Sequence, residues 1–198
     1  METVRMKDEA TYLHCIRVSR GSRLLAKAAG LNEFEQKIVE FAGLFHDIGK
    51  VGIPDSVLNK PAKLTEDEYK IMQSHPDLSV QILQPLSQIR FFQMIIPGVK
   101  HHHERYDGKG YPVGVFGEEI PLASRMILVA DTYDAMTADR VYRKGLSKEV
   151  AYKELQDFAG RQFDPRLVKI FLEAHPTWKE PDQKIFEEMN ETVLRKAA

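Results

Sequence analysis

The stretch NEFEQKIVEFAGLFHDIGK, residues 32–50, decides the fold class and ends on the chemistry. Asn32 offers a helix N-cap and Glu35, three residues on, completes a capping box, in which each side chain satisfies a backbone N–H that the first helical turn leaves free. Ile38, Phe41, Ala42 and Phe45 follow at three- and four-residue spacing, so one face is apolar and packs inward. Gly49 is expected to close this helix. His46 and Asp47 stand side by side at the end of the buried face, where they offer one nitrogen and one oxygen donor.

The same helical periodicity recurs on both sides. Thr11 to Ala29 carries Leu13, Ile16, Leu24 and Leu25 at helical offsets and stops near Gly30. Thr65 and Glu68 form a second capping box, and Pro76 suits the first turn of a helix running toward Leu83. Ile89 to Lys100 reads as a buried helix that Pro97 and Gly98 should bend or interrupt. Residues 107–117 hold four glycines and Pro112 and read as a structured loop in which a short hairpin stays open. Pro121 opens a helix through Ala138, Ser147 to Phe158 is amphipathic, and Asp164-Pro165 starts a helix through Ala174. No run alternates as a strand would. The expectation is an all-α domain over residues 1–176, followed by a helical tail over 177–198 with Ile185, Met189 and Val193 on one face.

Composition excludes several classes. With 28 basic and 29 acidic side chains the net charge is −1, so no global field draws the chain to a nucleic-acid polymer or an anionic membrane. No stretch approaches the roughly 18 apolar residues of a membrane span, and no secretory signal precedes Thr11. The single cysteine, Cys15, rules out a disulfide within the chain and reads as a small buried apolar residue. The expected setting is reducing and cytoplasmic.

Function shows in the histidines. Any one of the seven would ordinarily be a core or surface residue. Yet His46 and Asp47 end one helix, His75 starts another, His102 and His103 end a third, and Asp131 interrupts an apolar helical stretch where a buried carboxylate needs a partner. With His14, the set is His14, His46, Asp47, His75, His102, His103 and Asp131. Nitrogen and oxygen donors without thiolate suit iron, manganese or zinc. Seven donors exceed one tetrahedral ion, so two ions are the natural count, with Asp47 able to bridge them.

These residues resemble the HD-GYP domain family. The carriers are His46-Asp47-Ile48-Gly49-Lys50, the run from His102 through Gly110-Tyr111-Pro112, His14 to Val18, Ile53-Pro54-Asp55, Lys60-Pro61, His75-Pro76, Val129 to Thr137, Arg140 to Arg143, and Phe163-Asp164-Pro165. The resemblance spans about residues 8–174 and implies a single HD-type helical domain. It further implies a metal-dependent phosphodiesterase that cleaves c-di-GMP to the linear dinucleotide and, in some members, to GMP, with two divalent ions, iron or manganese. The same seven residues are the implied ligands, and a metal-bridging hydroxide is the implied nucleophile.

Asp47 and Lys50 are expected to be catalytic. Lys50, Tyr111, Arg140 and Arg143 are expected to meet the substrate, the two arginines sharing a face at three-residue spacing. Glu104 is expected to orient a ligand histidine, and His101 to face solvent or stand behind the ligands. Some members hold a third metal through a glutamate four residues before His14. Here that position is Ala10, and Glu9 points about 100° away, so two ions are expected. Implied partners are a diguanylate-cyclase (GGDEF) domain at the glycine loop and an N-terminal sensory or receiver domain. Two alternatives stand beside hydrolysis of c-di-GMP: a non-hydrolysing c-di-GMP sensor, and an HD hydrolase of another cyclic dinucleotide.

Overall fold

Asp8 breaks the chain between its first two helices: its backbone is extended and its side chain accepts from Thr11 N at 2.9 Å. The computed structural model describes residues 1–139 and 144–178. In order come α1 (Glu2–Lys7), α2 (Glu9–Ala28), α3 (Glu33–Phe45), a 3₁₀ turn (Ile48–Gly52), α4 (Asp55–Leu58), α5 (Glu66–Met72), α6 (His75–Leu83), α7 (Arg90–Lys100), α8 (Leu122–Thr137), α9 (Lys148–Asp157) and α10 (Pro165–Ala174). Both expected capping boxes form, at Asn32/Glu35 and at Thr65/Glu68. Among the described residues there is no named strand, only an isolated bridge between Ala159 and Phe163. The expected tail helix and Arg140 to Arg143 lie outside the described residues, apart from the tail's first two positions.

The core is organised around α8. From Ser124 to Ala130 every residue of that helix is buried, as expected of a helix enclosed on all sides. One of its faces places Met126 and Val129 against Leu25, Leu155, Phe163 and Phe171. The other places Ile127 and Ala130 against Val18, Ile38, Ile95 and Val99. Helices α2, α3 and α7 therefore pack against the part of α8 that leads to Asp131. No helix among the described residues is long and apolar enough to cross a membrane.

Three expectations change. α1 forms ahead of the expected first helix, with Val4 as its buried residue. α7 continues through Pro97. That proline lies on the exposed side, where water can take the carbonyl it leaves unpaired, while its own carbonyl still accepts from His101 N at 3.2 Å. Gly49 does not close α3, which ends at Phe45. Gly49 lies in the following 3₁₀ turn, where an added Cβ would fall 2.1 Å from His75 O. It is a contact point between the turn and α6.

Candidate metal centre

Three histidines each follow a helix and use a carbonyl from its end. His46 Nδ1 lies 2.7 Å from Gly43 O, His75 Nδ1 2.7 Å from Met72 O, and His102 Nδ1 2.6 Å from Val99 O. The last turn of a helix leaves its carbonyls free, and a carbonyl can only accept. Nδ1 therefore donates in all three rings, so that in the neutral ring it is Nε2 that presents the lone pair. His46 Nε2 is buried with no hydrogen-bond partner. His75 Nε2 and His102 Nε2 lie 3.1 Å apart, lone pair toward lone pair, an arrangement that suits a shared cation and not a neutral hydrogen bond.

Asp47 sits between two donor groups, 1% exposed. Its Oδ1 is 3.1 Å from His75 Nε2 and 4.0 Å from His102 Nε2, and this oxygen has no hydrogen-bond partner. Its Oδ2 is 3.3 Å from His46 Nε2, 3.7 Å from His14 Nε2 and 2.6 Å from Lys50 Nζ. His14 Nε2 is in turn 3.1 Å from Asp131 Oδ1. Asp47, His75, His102 and His103 offer atoms within 4.8 Å of one another, as do His14, His46 and Asp131. The seven residues read from sequence as ligands thus converge in two adjoining groups. With His46 Nε2 and Asp47 Oδ1 buried and unpartnered, this set of nitrogen and oxygen donors fits a divalent metal.

The electrostatics agree with ligand chemistry. Burial alone would raise Asp47, but His46 and Lys50 beside it hold its carboxyl well below the usual range. Asp131 is likewise lowered against its burial, by His14 first. Burial holds His102 well below the usual imidazole value and lowers His103 to about 3, with neighbouring imidazoles adding to both. Ionised carboxylates and neutral imidazoles are the forms a metal takes up. His14 differs: burial opposes its charge, but hydrogen bonds with Asp131 and Asp134 raise it to about 9. Cys15, fully buried beside His46 and Asp47, has its thiol pushed up by burial and packs as expected.

The sequence matches the family described as HD domain over residues 1–167. This chain belongs to the HD-domain family. It is 44% identical over 169 residues to a cyclic di-GMP phosphodiesterase response regulator of Xanthomonas campestris, covering 85% of this chain and 44% of that protein. It is 39% identical over 170 residues to the 3′3′-cGAMP-specific phosphodiesterase 2 of Vibrio cholerae, covering 86% of this chain and 32% of that protein. The chain thus spans less than half the length of these curated relatives. An HDG"Y"P protein from Bdellovibrio bacteriovorus has the same fold, with a TM-score of 0.62 at 20% identity over 81% of this chain and 50% of that one. The HD-GYP resemblance carried by the motifs is borne out.

Several residues of this HD domain were missed or misread in the sequence. Asp134 Oδ2 lies 2.7 Å from His14 Nδ1, and Arg17 grips both Asp134 oxygens at 2.6 and 3.0 Å. Their signal was spacing: Arg17 follows His14, and Asp134 follows Asp131, by three. Ser79 Oγ donates to His46 O at 2.9 Å and accepts from Gly49 N at 2.8 Å, fixing the His46–Asp47 backbone on α6. Glu104 does not orient a ligand histidine. It is buried and accepts from Val113 N at 2.7 Å and Gly114 N at 3.0 Å, so it shapes the glycine loop. The loop is further tied down by Asp107 N donating to Arg161 O at 2.7 Å. Tyr111 stacks on His103, ring centroids 4.7 Å apart. His101 stands outside both donor groups, with Nδ1 3.6 Å from Glu104. Ala10 and Glu9 are exposed and bring no donor. Arg140 and Arg143 lie outside the described residues.

Proposed function

We propose that this chain is a phosphodiesterase of cyclic dinucleotides that cleaves c-di-GMP to its linear form at a two-metal centre built from His14, His46, Asp47, His75, His102, His103 and Asp131. The observation that carries the reading is the division of Asp47, with Oδ1 facing one donor group and Oδ2 the other. The identity to cyclic di-GMP phosphodiesterases supports the substrate. Iron or manganese suits the nitrogen and oxygen donors.

Bound as a pair, divalent ions neutralise phosphate charge and supply activated water. The protein's own groups do the rest. The carbonyl-anchored imidazoles hold their Nε2 atoms in place before substrate arrives, so little reorganisation is left for the reaction. Lys50 is kept protonated: burial opposes its charge, but Asp47 raises its pKa above the ordinary value. Its Nζ, on Asp47 and about a quarter exposed, can meet a phosphoryl oxygen or give a proton to the leaving sugar oxygen. Tyr111 walls the site over His103 and offers its outer face to a base. A second substrate, 3′3′-cGAMP, is favoured by the 39% identity to an enzyme specific for it.

The test is anaerobic purification, a metal count per chain, and incubation with c-di-GMP and with 3′3′-cGAMP while the linear products are followed. Two ions and turnover of c-di-GMP that vanishes in Asp47→Ala are expected. Tight binding without turnover would make the chain a sensor, and faster turnover of 3′3′-cGAMP would reassign the substrate.

A further inference from the structure

Three of the ligand histidines borrow a backbone carbonyl, and His14 cannot. It lies in the interior of α2, where carbonyls are taken up by the helix's own hydrogen bonds. Its ring must therefore be held from another element. The group that reaches it is Asp134, one turn beyond Asp131 on α8, with Oδ2 at 2.7 Å from His14 Nδ1. Arg17, one turn beyond His14 on α2, closes the outer side and donates to both Asp134 oxygens. The helices thus interlock in two rungs, His14 on Asp131 inside and Arg17 on Asp134 outside.

We propose that Asp134 is the positioning residue for His14. The carboxylate accepts the Nδ1 proton, fixes the ring's tautomer, and leaves Nε2 directed at Asp47 and Asp131. This inference rests on the metal-centre reading, and it assigns the effect to one donor group, His14–His46–Asp131, and not to the other. Outer carboxylates of this kind typically change metal affinity ten- to a hundred-fold.

The competing role is purely structural, an ion pair pinning α2 to α8, and two variants separate the roles. Asp134→Ala removes both the ion pair and the acceptor. Arg17→Met removes the same ion pair and leaves the acceptor. The metal-free full chain is titrated with Mn²⁺, and unbound Mn²⁺ is counted by its paramagnetic resonance signal. The wild type is expected to take up two equivalents. In Asp134→Ala one equivalent should weaken about ten- to a hundred-fold while the other is unchanged, and Arg17→Met should stay close to wild type. Should Asp134→Ala not fold, Asp134→Leu carries the same expectation. Equal weakening in the Asp134 and Arg17 variants, or no weakening when the Asp134 carboxylate is gone, would overturn the positioning role alone. A wild type that binds no Mn²⁺ would overturn the metal centre and this inference with it.

Discussion

Gly110 occupies a position that no side chain can share. An added Cβ would lie 2.3 Å from Arg105 N, 2.5 Å from His103 O and 2.6 Å from Glu104 Cα, all of them backbone atoms with no rotamer to give. Gly110→Ala must push the loop off the 103–105 segment, and the displaced neighbours are His103 and its stacking partner Tyr111. The expected outcome is loss of turnover on the order of 100-fold, the usual effect of an angstrom of misplacement, with a stability cost of about 1–3 kcal/mol. Kinetics on c-di-GMP and a urea melt measure the two, and wild-type kinetics in the variant would sink the account. The donors themselves were legible because histidine and aspartate at helix ends and in an apolar stretch are conspicuous by type. What anchors them was not. Gly43, Met72 and Val99 act through their carbonyls, and a carbonyl carries no mark in the sequence. The glycine run was visible as a loop, but which glycine bears a close approach depends on the backbone opposite it.

At the scale of elements, Asp164 ties α8 to α10. It caps α10 by accepting from Arg166 N at 2.9 Å, and it takes Nη1 of the buried Arg125 on α8 at 2.6 Å. Asp164→Asn leaves Arg125 buried with its charge unanswered and is expected to cost about 3–5 kcal/mol. Burial works against the charge on Asp164, but the hydrogen bonds from Arg166 and Arg125 lower its pKa in the fold. A lowered folded pKa means that the unfolded chain takes the proton first. This stabilisation is therefore full above the unfolded value of about 3.9 and is lost as pH falls through the folded one. Urea melts should show a wide gap between wild type and Asp164→Asn at neutral pH that narrows in acid, and a gap constant with pH would refute the linkage. The start of α10 was readable because an aspartate followed by proline is a local signal, as were the capping boxes of α3 and α5. Local signals failed where tertiary contact decides. Pro97 reads as a bend or an interruption, and the helix runs on through it with the proline on the exposed side, while α1 is a short polar segment held through Val4.

At the scale of the molecule, no two helices suffice to build the centre. His14 comes from α2, His46 and Asp47 from the end of α3, His75 from the start of α6, His102 and His103 from the turn after α7, and Asp131 from α8. The donors are legible one by one along the chain, but their division into two groups around Asp47 depends on how these elements pack about α8, and no local pattern carries that. The convergence has a thermodynamic consequence. An ion held by side chains from several elements binds the folded chain and not the unfolded one, so binding free energy adds to folding free energy. At a free Mn²⁺ concentration of about 100 times the dissociation constant, one site adds about 2.7 kcal/mol. For a domain of this size that corresponds to roughly 5–11 °C in Tm, at about 2–4 °C per kcal/mol. The wild-type Tm should therefore rise with Mn²⁺ and fall back with EDTA. In Asp47→Ala, which removes the carboxylate between the two groups, the metal-dependent shift should largely disappear even if the metal-free variant melts near the wild-type temperature. A wild-type Tm indifferent to Mn²⁺ and EDTA would mean that the converged donors hold no ion. An undiminished shift in Asp47→Ala would mean that the ions bind elsewhere.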